Sequence, residues 1–140
     1  MWKIGVVVII LILIMVADVI FFSRKYVTVD SQWKGYRIIR YKLHNKSYKF
    51  LVADTSEKWT KGLMYVRKLQ NLDGMIFIFP NSQVQSFWNE NTLVDLDIYW
   101  INKDKVVGKT LLPSIEKSKS RVIVTSPGPV DTVVEFIRKT

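Results

Sequence analysis

A continuous apolar run near the amino terminus is the feature that most constrains how this chain can fold. It covers residues 4–22, and Asp18 is the single charged residue within it. At a rise of about 1.5 Å per residue, a helix of this length nearly spans the ~30 Å hydrocarbon core of a bilayer. Tryptophan and lysine precede the run and arginine and lysine follow it closely, as is typical of bilayer interfaces. The sequence therefore predicts a single-pass transmembrane helix.

A cleaved signal peptide is the alternative interpretation of this run. Its apolar region is usually about 7–15 residues long and ends at a small-x-small cleavage site. The run is longer than that and no good site follows it, so we expect an uncleaved anchor. The predicted organisation is an anchor with its flanks at residues 1–26, a juxtamembrane linker at 27–35 and a folded domain at 36–140. Flanking charges discriminate weakly between orientations, and we expect the domain on the extracytoplasmic side.

The composition excludes several kinds of functional site. The chain has no cysteine, which excludes disulfides, thiolate metal sites and cysteine nucleophiles. Its single histidine, His44, cannot build a zinc site that requires two or three histidines. A Ser-His-Asp triad would have to use His44, but this residue falls in a predicted hairpin turn and we do not expect it to be catalytic. No cofactor and no metal are expected.

The formal net charge of +9 is concentrated in one stretch of the chain. Positions 34–49 hold six basic residues and no acidic residue. Such a surface favours the phosphates of lipid or nucleic acid, or an acidic polymer, and a solvated strand face is the alternative. Because the predicted anchor holds the stretch near a membrane, we expect an anionic lipid surface as its partner and no nucleic acid. The six residues are Lys34, Arg37, Arg40, Lys42, Lys46 and Lys49.

The rest of the chain alternates short apolar runs with turn residues, which is typical of a β-rich domain. Alternating apolar and basic residues predict a β-hairpin over residues 36–53. Capping residues predict a helix over residues 56–65, and residues 116–121 are expected to form an exposed loop. Pro80 is expected to end the strand that precedes it. The predicted fold is a compact, β-rich α+β domain with seven or eight short strands and one main helix. Its later strands are predicted at residues 75–79, 86–88, 96–101, 106–112, 122–125 and 133–137.

A set of short motifs between residues 52 and 97 is specific enough to indicate a family. They are Val-Ala-Asp-Thr at 52–55, Gly-Leu-Met at 62–64, Gly-Met-Ile-Phe at 74–77, Phe-Trp at 87–88, Asn-Thr at 91–92 and Leu-Asp at 96–97. In order and spacing they resemble the family known as domain of unknown function 192, also called uncharacterised protein family 0127. The resemblance covers roughly residues 36–137. It implies a single compact β-rich fold, export or membrane tethering in many members, and no assigned reaction.

The chain departs from the family pattern at a few positions. Asn89 and Glu90 stand where the family usually has methionine and lysine, and Asp95 stands where it usually has proline. Lys58 stands near the position of a common arginine. The family usually continues beyond the equivalent of Thr140 into a glycine-rich segment and a final strand. We therefore expect any cleft lined by that strand to differ in this chain.

The motif glycines are expected to serve the backbone rather than a ligand. We expect Gly62 to permit close packing on the predicted helix and Gly74 to occupy a turn with positive φ. Met64 and Met75, which lie beside them in the motifs, are expected to lie in the core.

The predicted ligand-binding residues are Trp88, Asn91, Thr92 and Asp97. An aromatic face can stack on a sugar ring while amide, hydroxyl and carboxylate groups bind its hydroxyls. A core tryptophan followed by a polar bend is the structural alternative. We predict a membrane-tethered, envelope-facing binding or accessory module, rather than an enzyme, with a glycan, cell-wall fragment or envelope protein as its partner.

A glycosidase-like hydrolase is the rival hypothesis, with Asp97 and Glu135 as paired carboxylates. Nothing in the sequence brings these two acids together, and Asp97 at a strand end can instead bind backbone N–H groups. Asp95 and Asp97 are two residues apart, so a strand would point both to the same side. That arrangement suits a hard cation such as calcium, although we expect no metal there.

Overall fold

The structure is a computed structural model that describes residues 31–139. The predicted anchor at residues 4–22 lies outside the described residues. The chain divides into two units, Met1–Gly35 and Tyr36–Thr140, and the described part of the first contains one 3-10 turn, Ser31–Trp33. Within residues 31–139, no helix has the length and apolar character needed to cross a bilayer.

Residues 36–139 form eight strands and two short helices, which confirms the predicted β-rich α+β domain. In chain order these elements are β1 (Ile38–Leu43), β2 (Lys46–Ala53), α1 (Ser56–Lys61), β3 (Gly74–Gln83), β4 (Ser86–Trp88), β5 (Leu96–Asn102), β6 (Lys105–Leu112), α2 (Ile115–Ser118), β7 (Ile123–Thr125) and β8 (Val130–Ile137).

Six of the strands form one sheet in the order β1-β2-β3-β8-β5-β6. Only the β2–β3 pair in this sheet is parallel, and a parallel pair needs a crossover connection. Helix α1 and the segment after it supply that crossover. The other two strands, β4 and β7, pair antiparallel in a separate ribbon. The late strand β8 lies in the middle of the large sheet, so residues far apart in sequence become neighbours there.

The hairpin of β1 and β2 turns at His44 and Asn45, which both have positive φ. Two such residues form the tight turn that matches the twist of antiparallel strands. The His44 ring lies 5.9 Å from the ring of Tyr99 on β5, although three strands separate β1 from β5 in the sheet order. The large sheet is therefore strongly curled, and the turn of the β1–β2 hairpin lies close to β5.

Each face of the curled sheet carries its own apolar layer. Because directly opposed residues point to one face and successive residues to opposite faces, the strand register assigns each side chain. One face holds the cluster Leu43, Phe50, Val52, Ile76, Ile101 and Val134. The other holds the buried side chains Leu51, Met75, Phe77, Ile98, Trp100 and Val133, and this second face is the one that positions the candidate site.

Three element boundaries differ from those predicted. Helix α1 ends at Lys61 rather than near residue 65, because Gly62 follows it as the C-cap with a φ of +46°. Strand β3 continues through Pro80 to Gln83. The register is irregular between Ile78 and Gln83, so Pro80 lies where the ladder has no regular pairing to lose. The expected exposed loop at 116–121 begins inside helix α2, which Ser114 caps.

The two motif glycines have roles that are the reverse of those expected. Gly62 has the positive φ, whereas Gly74 is absent from the positive-φ positions of the described residues and lies in strand β3. A β-carbon on Gly74 would overlap the backbone carbonyl oxygen of Glu135 on the adjacent strand. Gly74 is thus required for close approach of β3 and β8, and Gly62 for the turn that ends α1.

Candidate functional site

A cleft of about 390 Å³ opens on one side of the large sheet, beside the end of α1 and the β4–β7 ribbon. We call it the aromatic cleft because five aromatic side chains from three elements line it. They are Trp59 of α1, Phe77 and Phe79 of β3, and Phe87 and Trp88 of β4. Its volume lies within the range of about 300–1,000 Å³ that small-molecule sites occupy.

The aromatic rings support one another in pairs. The centroids of Trp59 and Phe79 are 5.1 Å apart, and those of Phe77 and Phe87 are 4.9 Å apart in a T-shaped contact. Both distances lie in the favourable range for aromatic pairs. Trp88 is 42% exposed at the mouth of the cleft, where it stands opposite Ile123 of β7. The inner rings are therefore fixed. The exposed part of the Trp88 indole is available to a ligand, beside the Arg121 guanidinium carbon that lies 5.8 Å from the ring centre.

Local hydrogen bonds fix the helical wall of the cleft. The Thr55 hydroxyl caps α1 by accepting from the Lys58 amide at 3.4 Å. The indole N–H of Trp59 donates to the Ala53 carbonyl at 3.0 Å, which sets the orientation of the ring. The Gly62 amide then donates to the Lys58 carbonyl at 2.9 Å and closes the helix. This wall is set by the α1 sequence itself, from its cap to its terminating glycine.

Glu135 lies at the base of the aromatic cleft and is the most unusual group in the site. It stands on β8 opposite Met75 and Ile98, and it is only 3% exposed. Its Oε2 atom has no hydrogen-bond partner among the described residues. A β-carbon at Gly62 would lie 3.8 Å from this oxygen, so a side chain at that position would crowd the carboxyl. Burial in apolar surroundings raises the pKa of Glu135 from 4.5 to about 8, and the carboxyl is largely neutral at pH 7.

Asn89 connects the β4 wall to the segment that leads into β7. This side chain is fully buried, and its amide group donates to the Pro113 carbonyl at 2.9 Å and to the Ser118 hydroxyl at 2.8 Å. Its oxygen accepts from the Val122 amide at 2.8 Å. The departure from the family pattern at this position thus has a structural role in this chain, since one amide satisfies several buried groups.

Asp95, the second position that departs from the family pattern, stabilises helix α2 through hydrogen bonds. It accepts from the Ser114 amide and from the Lys117 ammonium group, both at 2.8 Å. The hydrogen bond from Lys117 and then that from Ser114 keep the pKa of the Asp95 carboxyl below its ordinary value of 3.8. Both Asp95 oxygens are therefore occupied by protein groups. Across residues 31–139, no cluster of three or more histidine, aspartate or glutamate side chains is arranged to hold a metal ion.

The two acids of the rival hydrolase hypothesis are not brought together. Glu135 stands opposite Ile98 on β5, and Asp97 is the residue before Ile98. Because successive strand residues point to opposite faces, Asp97 and Glu135 point to opposite faces of the sheet. Asp97 instead forms ion pairs with Lys109 at 3.2 Å and Arg138 at 3.8 Å. The geometry contradicts a pair of carboxylates flanking one bond.

Two of the four predicted ligand-binding residues line the aromatic cleft. These are Trp88, at its mouth, and Thr92, which is 4% exposed. Asn91 has a φ of +55°, and its carbonyl accepts from the Tyr65 amide at 2.8 Å, so it shapes the turn beside the cleft. Asp97 lies on the opposite face of the sheet.

Sequence reasoning missed most of the aromatic lining. Residues 56–65 are predicted only as a helix, and residues 75–79 and 86–88 only as strands, so these patterns do not bring Trp59, Phe77, Phe79 and Phe87 to one site. One signal was available in the motifs. Five of the motif segments contribute residues to the lining of this cleft, namely 62–64, 74–77, 87–88, 91–92 and 96–97. Specific motifs that are separated in sequence can therefore indicate a shared site in the fold.

Three of the six predicted lipid-facing residues share one face of the hairpin. Arg40 stands directly opposite Lys49, and Lys42 is two residues further along the same face. Like charges in direct opposition destabilise a strand pair. Within residues 31–139, none of these three side chains forms an ion pair that would offset the repulsion. We call this trio the basic face.

The other three basic residues are engaged differently. Arg37 forms an ion pair with Asp54 at 2.9 Å, and the Lys46 ammonium group lies 5.2 Å from the centre of the Tyr48 ring. Lys34 is exposed and belongs to the first of the two units. The basic face is therefore limited to Arg40, Lys42 and Lys49.

Comparison with known proteins identifies a family and two similar structures. The model of the family DUF192, described as an uncharacterised ACR, matches residues 39–139, which confirms the resemblance found in the motifs. No curated protein matches the chain significantly.

Two solved structures resemble this fold. One is a candidate transcription regulator from Sinorhizobium meliloti, with 25% identity and a TM-score of 0.56 over 73% of this chain and 79% of that chain. The other is a protein of unknown function from Novosphingobium aromaticivorans, with 26% identity and a TM-score of 0.57 over 73% of each chain.

Proposed function

The chain belongs to the DUF192 family, and we propose that it is a ligand-binding module that acts through the aromatic cleft. A single observation carries the proposal: a largely apolar cleft of about 390 Å³ contains a buried carboxyl with an oxygen that no described residue satisfies. Binding sites are typically apolar concavities with a few convergent polar groups. A ligand that pairs with this oxygen would recover the free energy that an unsatisfied buried group costs, about 1–3 kcal/mol.

The proposed ligand is a glycan or a cell-wall fragment. The exposed indole of Trp88 suits stacking against a sugar ring, since such rings present an apolar face of C–H groups. Thr92 and Glu135 supply hydrogen-bonding groups deeper in the cleft. Trp88 thus offers an aromatic surface at the mouth, and the buried Thr92 and Glu135 offer polar groups inside. This combination favours a ligand about the size of one sugar unit that has both an apolar face and hydrogen-bonding groups.

The arrangement supports binding better than two-carboxylate hydrolysis. Glycosidases of the usual type place two carboxyl groups about 5–10 Å apart on either side of the bond they cleave. Glu135 is the single acid among the described residues that line the aromatic cleft. With Asp97 on the opposite face, the second carboxyl group of that mechanism has no candidate within the described lining.

The binding proposal is tested by isothermal titration of the purified full-length chain with oligosaccharides and soluble cell-wall fragments. For any oligosaccharide or fragment that binds, Trp88→Ala should lower the affinity about fivefold, which corresponds to ~1 kcal/mol of lost stacking. Leu111→Ala is the matched control, because Leu111 is 39% exposed and stands opposite Asp97 on the other face of the sheet. Equal effects of both substitutions, or no binding by any glycan, would refute the proposal.

We further propose that the module is tethered to a membrane and faces the cell envelope. The support is the apolar run at residues 4–22, which matches the length of a bilayer-spanning helix. Alkaline carbonate extraction of membranes containing the full-length chain tests this point. The chain should stay in the membrane pellet, and its recovery in the supernatant would contradict the tether.

The basic face is the proposed contact with anionic lipid headgroups. Each basic residue near such a surface contributes about 1 kcal/mol, and the effect falls off within a Debye length. A fragment of residues 31–140 that unfolds cooperatively should therefore bind vesicles containing phosphatidylserine in low salt and release them in high salt. Arg40→Gln with Lys42→Gln should weaken that binding more than Lys68→Gln with Lys119→Gln, which removes the same charge elsewhere. Equal loss of vesicle binding in the two double variants would mean that net charge alone drives the interaction, and it would contradict a specific role for the basic face.

A further inference from the structure

Among the described residues that line the aromatic cleft, Glu135 is the most buried polar one, with 3% of its surface exposed. Its carboxyl is held among apolar neighbours, with Met75 and Ile98 directly opposite on the flanking strands. Phe77 and Phe87 form the adjoining walls. Since Oε2 has no partner among the described residues, a ligand atom that pairs with the carboxyl would gain a hydrogen bond in a site of low dielectric, where such bonds are strong.

The charges around this group favour a neutral ligand atom over a cation. Lys61, at the end of α1, is the other charged residue among those that line the cleft. The facing positions on β3 and β5 are apolar, and the lining residues of β4, which are Ser86, Phe87 and Trp88, carry no charge. Burial is the cause that raises the pKa of Glu135 to about 8, and a neutral carboxyl can donate a hydrogen bond as well as accept one. A cationic ligand would have to ionise this group and would also meet a protein of net charge +9.

The rest of the cleft narrows the class of ligand further. Beside Glu135 the walls are apolar, which suits a methyl group. Thr92 is 4% exposed, and its hydroxyl makes one long contact of 3.5 Å to the Glu90 carbonyl, so its lone pairs can accept from a ligand N–H. An acetamido group combines these requirements in one unit, since it has a carbonyl acceptor, an N–H donor and a methyl group.

We infer that the aromatic cleft recognises an N-acetylated sugar, whose acetamido carbonyl accepts a hydrogen bond from the carboxyl group of Glu135. The inference rests on the proposed glycan-binding function and specifies its ligand class. Thr92 accepts from the acetamido N–H, the methyl group lies against Phe77 and Phe87, and the sugar ring stacks on Trp88. No covalent step is involved.

The first test compares three tetrasaccharides by isothermal titration with the full-length chain at pH 6.5. They are the β-1,4-linked tetramers of N-acetylglucosamine, of glucosamine and of glucose, which differ at the 2-position in carrying acetamide, ammonium or hydroxyl. The N-acetylated tetramer should bind at least tenfold more tightly than either of the others. Equal or tighter binding of the glucosamine or glucose tetramer overturns the inference and leaves the proposed function standing. Failure of all three to bind overturns the inference, whereas the proposed function falls only if the wider set of oligosaccharides and cell-wall fragments also fails to bind.

The second test separates hydrogen-bond donation by Glu135 from a merely structural role. If the neutral carboxyl is the binding form, affinity for the N-acetylated tetramer is constant from pH 6 to 7 and about tenfold lower at pH 9. Glu135→Gln keeps a donor N–H, so its affinity at pH 6.5 should stay within about threefold and its pH dependence should vanish. Glu135→Leu should lose at least tenfold in affinity while remaining folded by circular dichroism.

Glu116→Gln is the matched control for the same chemical change, since Glu116 is exposed and pairs with Arg67 outside the cleft. It should retain both the affinity and the pH dependence of the unaltered chain. A pH-independent affinity in the unaltered chain, or loss of binding in Glu135→Gln equal to that in Glu135→Leu, overturns the role assigned to the carboxyl.

Discussion

Replacement of Glu135 by glutamine should stabilise the protein at neutral pH and remove a pH dependence of its unfolding. The carboxyl has a pKa of about 8 in the folded protein and an ordinary value of 4.5. Between these two values the folded state holds a proton that the unfolded state has released. The free energy of unfolding therefore falls as the pH rises through this window. Glutamine has nearly the same shape and does not titrate.

The size of the effect follows from the width of the window. Each pH unit above 4.5 costs the folded state about 1.4 kcal/mol relative to the unfolded state. At pH 7 this amounts to about 3 kcal/mol, and the cost reaches its limit near pH 8. Below pH 4.5 both states hold the proton, so Glu135→Gln and the unaltered protein should then have nearly equal stability.

The assay is urea unfolding of both proteins at pH 4.5, 6, 7 and 8, with Glu116→Gln measured as the control. Carboxyls with lowered pKa values, such as Asp54 and Asp95, are present in each protein and cancel in the difference. The stability gap between Glu135→Gln and the unaltered protein should widen steadily with pH. A gap that stays constant from pH 4.5 to 8, or that Glu116→Gln reproduces, would refute the argument that burial governs this carboxyl.

Three further substitutions test the scaffold around the cleft. Asn89→Ala should lower the free energy of unfolding by about 3 kcal/mol, because several buried groups lose their partner, whereas Asn81→Ala, at an exposed position, should cost far less in the same urea titration. Gly74→Ala should destabilise by about 3 kcal/mol or more through overlap with the neighbouring strand, and Gly128→Ala, where a β-carbon meets nothing within 4 Å, should be nearly neutral by thermal unfolding. Asp95→Asn should lower stability at pH 7, and the difference should shrink as the pH falls below 3.8, the ordinary pKa from which the folded value is depressed.

Local patterns in the sequence were sufficient to predict most of the elements. Period-2 alternation gave the hairpin of β1 and β2, and the capping residues around Thr55 gave the start of α1. The end of α1 is also encoded locally, since a glycine after the last helical residue is a common stop signal, and the packing role expected for Gly62 overlooks that signal. The prediction that Pro80 ends its strand is wrong because a proline excludes only regular central pairing, and the register of β3 is irregular at that point.

The site depends on long-range register, which local patterns do not contain. Glu135 enters the cleft because β8 pairs between β3 and β5, far from its neighbours in sequence. A shift of one residue in that pairing would move the side chain of Glu135 to the other face of the sheet. The observed register also places Asp97 and Glu135 on opposite faces. Sequence reasoning chose Trp88 and Thr92 from their residue types, but only the strand register brings them to one cleft with Phe77 and Phe87.

The carboxyl titration of Glu135 followed by NMR, with and without the N-acetylglucosamine tetramer, tests the central claim most directly. The side-chain carboxyl carbon of Glu135 in the labelled full-length chain should titrate with a midpoint near 8 in the free protein. The tetramer should move that midpoint upward, because it binds the neutral form, and the glucosamine tetramer should leave it unchanged. A midpoint near the ordinary value of 4.5, or one that the N-acetylated tetramer does not move, would contradict a cleft that binds its ligand through this carboxyl.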